Sequence, residues 1–154
     1  MIYNRKGFTL IELLVVIAII GLLSTLAVVS LNNARQKARD ARRVSDIKQI
    51  QTGLELFFND QNVYPVQGAA LTLGTGAGAT LSSGIAANAG FAAAALGTTY
   101  MGKVPANPTP GGANYVYAIS TGTTYSIGFT LENAIPSLGA GIGCTATPAG
   151  VSCP

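Results

Sequence analysis

The chain carries a long apolar stretch close to its start. Across residues 13–29 the only polar residues are Ser24 and Thr25, and no residue is charged. At about 1.5 Å rise per residue, a helix over residues 10–31 would span roughly 33 Å, which is about the hydrocarbon thickness of a bilayer. The stretch therefore predicts a helix that needs either a membrane or other apolar helices around it.

The helix is expected to continue into polar sequence, because residues 32–60 lack proline and contain one glycine, Gly53. Apolar residues recur there at intervals of three and four, which predicts one buried stripe made of Val44, Ile47, Ile50, Leu54 and Phe57 with Phe58. The opposite, exposed face is expected to carry Arg39, Arg43, Asp46 and Lys48. The polar run at residues 59–62, followed by Tyr64-Pro65, predicts that the helix ends near residue 59.

The middle of the chain, residues 61–113, is a connecting region rich in Gly and Ala. Residues 86–96 favour a short helix because Ala is the best helix former, although Gly90 interrupts the run. The alternative is a long loop whose scattered apolar residues pack on the long helix. The Pro- and Gly-rich residues 104–112 predict a connector without regular structure.

Residues 114–154 show strand periodicity. Tyr115, Tyr117 and Ile119 alternate with smaller residues, and after a turn the same alternation continues at Tyr125, Ile127, Phe129 and Leu131. We expect a hairpin with one face on the helical stripe, and a third strand within residues 135–142. The predicted fold class is α+β, with one long N-terminal α-helix packed on a small antiparallel β-sheet.

The distribution of charged residues bears on function. Charged residues make up 10% of the chain, and thirteen of the fifteen lie in residues 5–60, which leaves Lys103 and Glu132 after Asp60. A surface so poor in charge suits packing among copies of the same chain. The net charge of +3 is a weak argument for nucleic-acid binding.

The candidate chemistry is sparse. The chain has no His, so nucleophile–base schemes lack their commonest base and no enzyme is predicted. Cys144 and Cys153 lie near the C-terminus, and in an exported chain their spacing favours a disulfide that closes a small loop. The alternatives are two free thiols or half of a metal site, and a zinc site would lack ligands. No cofactor or metal is expected.

The start of the chain carries the most specific signal. Arg5 and Lys6 precede Gly7-Phe8-Thr9-Leu10-Ile11-Glu12, which leads directly into the apolar run. A carboxylate at the mouth of a membrane-length helix is costly, on the order of 3 kcal/mol near the bilayer centre, so Glu12 is a functional candidate. This order of features resembles the prepilin processing site of type IV pilins and type II secretion pseudopilins.

The resemblance covers residues 5–31 and implies specific roles. It implies that a membrane prepilin peptidase/methyltransferase cuts after Gly7 and N-methylates Phe8, and that Glu12 is needed for filament assembly. We expect Glu12 to pair with the Phe8 amine of an adjacent subunit in the low-dielectric core. The alternatives are a pair with the amine of its own chain, or an interfacial carboxylate favoured by the helix N-terminus.

The resemblance also divides the chain and assigns packing residues. We expect a leader at 1–7, a transmembrane and filament-core helix at 8–31, its amphipathic continuation at 32–60, the connecting region at 61–113, and the sheet with the disulfide-closed loop at 114–154. Filament-core packing is expected at Leu13, Val16, Ile17, Ile20, Gly21 and Ser24. The implied fold is the pilin fold.

The predicted function is a pilin that polymerises with itself into an extracellular filament, with the help of an inner-membrane assembly platform, and that rests in lipid beforehand. The alternatives are a pseudopilin of a secretion or DNA-uptake machine, a surface-binding module that does not polymerise, and an uncleaved signal anchor. Counted alone, the cations after the span place the C-terminal side in the cytoplasm. The processing site and the disulfide favour the opposite orientation, with the N-terminus in.

The cations of residues 35–43 have several interpretations. They could contact lipid headgroups, acidic groups of neighbouring subunits or DNA, or they could form a solvated helix face. DNA binding is weakly supported because no base-stacking aromatics accompany the cations. Some pseudopilins bind calcium through C-terminal carboxylates, and Glu132 alone does not support such a site.

Overall fold

A computed structural model of the chain describes residues 7–84, 90–118 and 122–154. The chain forms two compact units, Met1–Gln36 and Lys37–Pro154. One helix, α1, covers Leu10–Gln61 and so begins in the first unit and ends in the second. The predicted continuous helix is confirmed, with its ends two residues from the expected positions.

Helix α1 ends as the sequence predicted, at the polar run before Tyr64-Pro65. Asn62 adopts the left-handed conformation, with φ of 58°, and its N–H donates to the carbonyl of Phe58 at 2.7 Å. Asn tolerates this conformation better than most residues, so it closes the last turn.

The second unit contains two antiparallel sheets. A five-stranded sheet has the order β1-β5-β6-β7-β8, and a three-stranded sheet has the order β3-β2-β4. The strands are β1 Leu71–Thr72, β2 Thr80–Ser82, β3 Gly90–Ala92, β4 Thr99–Met101, β5 Val116–Ala118, β6 Ser126–Thr130, β7 Gly143–Thr147 and β8 Gly150–Ser152, with a short 3-10 turn at Gly76–Gly78. The architecture is α+β, as predicted.

The predicted hairpin is confirmed as β5 and β6, which pair with Tyr117 opposite Ile127. The aromatic and aliphatic positions that alternate in the sequence are buried, namely Tyr115, Tyr117, Tyr125, Ile127, Phe129 and Leu131. The predicted inward position Ile119 lies outside the described residues. Period-two alternation thus identified the face that covers the helix.

The expectation of a third strand within residues 135–142 is wrong. That segment is turn and irregular structure, because Pro136 and two glycines interrupt any ladder there. The third strand is β7, where Cys144 and Ala146 are buried and their neighbours face outward. Strand β8 then forms the edge of the sheet.

The prediction of a short helix at residues 86–96 is wrong for the residues of this segment that the structure describes. Gly90–Ala92 is strand β3, and residues 85–89 lie outside the described ranges. Phe91 is buried and packs edge-on against Tyr117 with ring centroids 5.0 Å apart. That burial overrides the helix propensity of the alanines, which is a weak preference. Residues 104–112 form no helix or strand, as predicted.

The core of the second unit forms between the helical stripe and both sheets. Ile47, Ile50, Leu54 and Phe57 are fully buried, and Val44 and Phe58 are partly buried against the same cluster. Gly53 lies where a Cβ would come 3.0 Å from Met101 Cε of β4 and 3.5 Å from Leu81 Cδ2 of β2. The small sheet therefore approaches α1 closely at its one glycine in this half.

Candidate functional site

The apolar half of α1 is fully solvent-exposed in this chain. All residues from 7 to 35 are exposed, and the large apolar side chains among them range from 44% exposed at Val16 to 87% at Leu10. The residues predicted to pack in a filament core are all in this set: Leu13, Val16, Ile17, Ile20, Gly21 and Ser24. A continuous apolar surface of this length marks a surface that other apolar groups cover.

The same segment is long and apolar enough to cross a membrane. An 18-residue window of α1 has a mean hydropathy of 2.8, and none of it is buried within the chain. The hydroxyl of Thr25 donates to the carbonyl of Leu22 at 2.8 Å, so its polarity is satisfied inside the helix. Thr25 therefore needs no hydrogen-bond partner from outside the helix, and the segment is suited to an apolar environment.

The first turn of α1 is held by a reciprocal cap between Thr9 and Glu12. The Thr9 N–H donates to Glu12 Oε2 at 2.9 Å and the Thr9 hydroxyl donates to the same oxygen at 2.7 Å, while the Glu12 N–H donates to Thr9 Oγ1 at 3.3 Å. This is the capping-box arrangement, in which two otherwise unpaired N–H groups are satisfied. It fixes the helix start at Leu10.

Sequence reasoning considered Glu12 at a helix N-terminus but missed its partner. The signal was present, since Thr9 precedes Glu12 by three residues, the spacing that defines a capping box. Glu12 Oε2 receives both hydrogen bonds from Thr9, and Oε1 receives none from the part of the chain that the structure describes. One carboxylate oxygen therefore stays available to another donor.

The residues of the predicted cleavage site lie just before this cap. Gly7, Phe8 and Thr9 are outside any helix and exposed, and Phe8 is 77% exposed. A non-helical, exposed backbone is what a peptidase requires of its substrate. The structure thus presents these residues accessibly, and the cleavage itself stays a prediction.

The second unit contains a buried ionic cluster centred on Arg43. Its side chain is fully buried, although the sequence predicted an exposed position. Arg43 Nη1 lies 2.7 Å from Asp40 Oδ1 and 2.9 Å from Glu132 Oε1, and its Nε donates to Asn107 Oδ1 at 2.8 Å. The third nitrogen donates to the carbonyl of Gly111 at 2.6 Å, so the guanidinium is satisfied on every side.

Glu132 links this cluster to Arg39. The Arg39 guanidinium donates through two nitrogens to the two oxygens of Glu132, at 2.6 and 2.5 Å. The hydrogen bonds from Arg39, and the one from Arg43, lower the pKa of Glu132 to about 2. The carboxylate is therefore charged at every physiological pH and holds the end of β6 to α1.

Asp40 closes the cluster through the backbone. Its Oδ1 accepts the N–H of Glu132 at 2.8 Å and its Oδ2 accepts the N–H of Asn133 at 3.0 Å. The loop after β6 is therefore fastened to α1 by the same groups that neutralise Arg43. Gly112, with φ of 75°, lies where a Cβ would come 3.0 Å from Arg43 Nε.

The expectation that Arg43 and Asp46 lie on an exposed helix face is wrong, and Asp40 is buried with them. Their exposed fractions are 0%, 7% and 2%. Asp46 accepts a hydrogen bond from the Tyr115 hydroxyl at 3.1 Å, and burial raises its pKa. The available signal was Glu132, the one acidic residue after Asp60, whose partners had to come from the cations of α1.

The structure contains the predicted disulfide between Cys144 and Cys153. It joins β7 to the residue after β8, and the Cys153 N–H also donates to the carbonyl of Leu138 at 2.8 Å. The described residues contain no group of three or more His, Cys, Asp or Glu that could hold a metal ion.

An exposed apolar helix that is capped at its start and continues into a small disulfide-bonded α+β unit is the architecture of pilin-like proteins. A family model described as the prokaryotic N-terminal methylation motif matches residues 2–28. The Type IV major fimbrial protein FimA of Dichelobacter nodosus is 31% identical over 135 residues, which cover 87% of this chain and 77% of that protein. The chain therefore belongs to the type IV pilin family.

Other relatives match the N-terminal part. The Type II secretion system core protein G of Pectobacterium carotovorum subsp. carotovorum is 41% identical over 63 residues, which cover 41% of this chain and 40% of that protein. The Escherichia coli (strain K12) core protein G is 40% identical over 62 residues, 40% of this chain and 43% of that protein. The matched region is thus less than half the length of these relatives. No solved structure matches the chain.

Proposed function

We propose that the chain is a structural subunit that polymerises into a type IV pilus-like filament through residues 8–31, after removal of residues 1–7. The observation that carries this proposal is the exposed apolar half of α1, which is uncharged over residues 13–29. Each Leu, Ile or Val removed from water contributes roughly 1.5–3 kcal/mol. A segment with this many exposed Leu, Ile and Val side chains is stable in lipid or packed against the same segment of other subunits, and not in water.

Before assembly, the subunit rests in the cytoplasmic membrane with its N-terminus in, and lipid covers the segment. A prepilin peptidase/methyltransferase then cuts after Gly7 and methylates Phe8, and an inner-membrane assembly platform draws subunits into the filament. The exposed, non-helical Gly7 and Phe8 support access of the peptidase to this bond. Gly21, with no atom within 4 Å of a Cβ built there, lets neighbouring helices approach closely.

Glu12 sets the register between subunits in this proposal. Its Oε2 caps the helix of its own chain, while its Oε1 accepts the Phe8 amine of an adjacent copy. Both the cap and the intersubunit pair use the charged carboxylate. In an apolar core a carboxylate is stable when it is paired and hydrogen-bonded, and this arrangement provides both.

The second candidate is a pseudopilin, a related subunit whose short filament stays within the cell envelope. The similarity of the N-terminal 62 or 63 residues to core protein G favours it, whereas the alignment with the fimbrial protein extends over most of the chain. DNA uptake and surface binding without polymerisation are weaker candidates.

The deciding measurement is the intact mass and N-terminal residue of the protein in a sheared extracellular fraction. We expect a chain that begins at N-methylated Phe8. The same processed chain confined to the envelope would indicate a pseudopilin. A chain still beginning at Met1 in the membrane would overturn processing and polymerisation together, and replacement of Gly7 by a bulky residue provides the unprocessed control.

Two substitutions at Glu12 separate its cap from its charge. Gln at this position keeps the capping box, because Gln also serves there, but it removes the charge. Glu12→Ala removes both. We expect both variants to insert in the membrane and neither to form filaments of normal yield. If Glu12→Gln assembled like the wild type, the charge would not set the register.

A further inference from the structure

The second unit carries charges that have no ion-pair partner among the described residues. The salt bridges of the described chain join Arg39, Asp40, Arg43 and Glu132 to one another. Lys37, Arg42, Lys48 and Lys103 remain as exposed cations, and Glu55 and Asp60 remain as exposed carboxylates. Exposed charges of both signs on one subunit are a means of recognition between copies.

Two of the cations flank one groove. This cationic groove, of about 630 Å³, is lined by Arg42, Ser45 and Gln49 of α1 and by Lys103, Pro105 and Ala106 of the connector. Asp46 also lines it, and its carboxylate is directed to Tyr115, which donates at 3.1 Å. The groove therefore has a net positive charge with the two cations at its edges.

A second groove contains one of the exposed carboxylates. This groove, of about 400 Å³, is lined by Lys48, Gln51, Thr52 and Glu55 of α1 and by Tyr125, Pro148 and Gly150, so that its two charges, Lys48 and Glu55, balance. Glu55 accepts the Tyr64 hydroxyl at 2.8 Å, which leaves capacity for a cationic donor.

The two grooves lie on different flanks of α1. At 100° per residue, Arg42 and Glu55 are separated by about 140° around the helix. Asp60 lies on nearly the same flank as Arg42. When parallel copies of a chain repeat along a filament, each contact is heterologous, which means that it joins two different surfaces of the subunit. Glu55, and not Asp60, is therefore placed to meet the Arg42 flank of the next copy.

We propose that the cationic groove of one subunit receives Glu55 of a second copy of this chain. This inference rests on the proposed polymerisation. It adds a specific contact between second units to the packing of the apolar helices. A parallel offset of 13 residues along α1, about 20 Å, brings Arg42 level with Glu55.

A matched pair of lysine substitutions tests the proposal in the full chain. Lys103→Gln removes a cation that faces Glu55 of the neighbour, whereas Lys48→Gln removes a cation beside Glu55 that repels the neighbour's groove. We expect Lys103→Gln to lower the yield of sheared filaments about fivefold or more, since each copy repeats the contact, and Lys48→Gln to leave the yield equal or higher. Equal losses in both variants, or no loss in either, would overturn the contact.

Two further measurements distinguish a loss of the contact between subunits from a defect in subunit folding. Glu55→Gln, which keeps an acceptor for Tyr64, should match the loss of Lys103→Gln, while subunit level and disulfide formation stay normal. In wild-type filaments, a carbodiimide should link Glu55 to Lys103 within covalent dimers identified by mass spectrometry. Filaments that form normally but lack this link contradict the contact alone, whereas absence of wild-type filaments contradicts the proposed polymerisation.

Discussion

At the scale of single residues, the second unit depends on Arg43, a fully buried cation with two carboxylate partners. Removing one partner from a buried ion pair typically costs 3–5 kcal/mol, because the remaining charges lose compensation. We therefore expect Arg43→Met to lower the free energy of unfolding by about that amount. Urea unfolding of the full chain in detergent measures it.

The neighbouring Arg42 provides the control for this prediction. It is exposed and has no ion pair among the described residues. Arg42→Met should change the unfolding free energy by less than about 0.5 kcal/mol. Similar effects of the two substitutions would mean that the Arg43 cluster does not stabilise the fold.

The pH dependence of stability follows from Glu132. Its pKa is lowered from 4.5 to about 2 in the folded chain, mainly by hydrogen bonds from Arg39. A carboxylate whose pKa is lower in the folded than in the unfolded chain stabilises the fold at pH values above its unfolded-state pKa. This stabilisation is lost as the pH falls to the folded-state pKa. We expect the urea midpoint to fall between pH 4.5 and 2, and Glu132→Gln to flatten that slope. An unchanged slope in the variant would assign the acid sensitivity to other carboxylates.

At the scale of elements, Gly53 determines how closely the three-stranded sheet packs on α1. Ala should gain about 1 kcal/mol of helix propensity and lose a similar amount by displacing the flexible end of Met101, for a net effect near zero. Gly53→Val should overpack the contact and destabilise the unit by about 1–3 kcal/mol. Thermal unfolding in detergent distinguishes the two.

Gly21, the glycine of α1 in the first unit, provides the control for Gly53→Val. No heavy atom lies within 4 Å of a Cβ built there, so Gly21→Val should leave the unfolding of the second unit unchanged. A destabilisation equal to that of Gly53→Val would show that the loss does not come from packing against the sheet, since Val is a better helix former than Gly.

The elements also show what the sequence could and could not predict. The helical stripe and the β5–β6 hairpin were predictable because their apolar residues repeat with the period of the element that they form. The strands β2, β3 and β4 were not, since each has three residues and their Gly, Ala and Thr carry no period. Phe91 and Leu81 acquire their strand positions from burial against the helix and Tyr117, which is a tertiary effect.

The candidate site divides in the same way. Local spacing indicated the exposed apolar helix, the cleavage residues and Glu12. The ionic cluster joins Arg39 and Arg43 to Glu132, 93 and 89 residues away, so no local pattern could reveal it. Its members alternate with exposed charges of the same kinds on α1, and only the fold decides which of them become buried.

At the scale of the whole molecule, the buried core belongs to the second unit. Among the described residues, the buried hydrophobic side chains begin at Ile47, while the large apolar side chains of the first unit are exposed. We expect a chain of residues 35–154, exported to an oxidising compartment, to be a soluble monomer with the Cys144–Cys153 disulfide intact. Light scattering after size-exclusion chromatography tests this. Aggregation of that chain would mean that the core needs the apolar helix.

The cap between Thr9 and Glu12 has a consequence for maturation. All the atoms that form it lie after the proposed cut between Gly7 and Phe8, so processing would leave the first helical turn intact. The cut would add one new cation, the Phe8 amine, within a turn of a carboxylate that keeps a free oxygen. Maturation would then alter the electrostatics of the helix end without reshaping it, and a subunit could enter the filament without refolding.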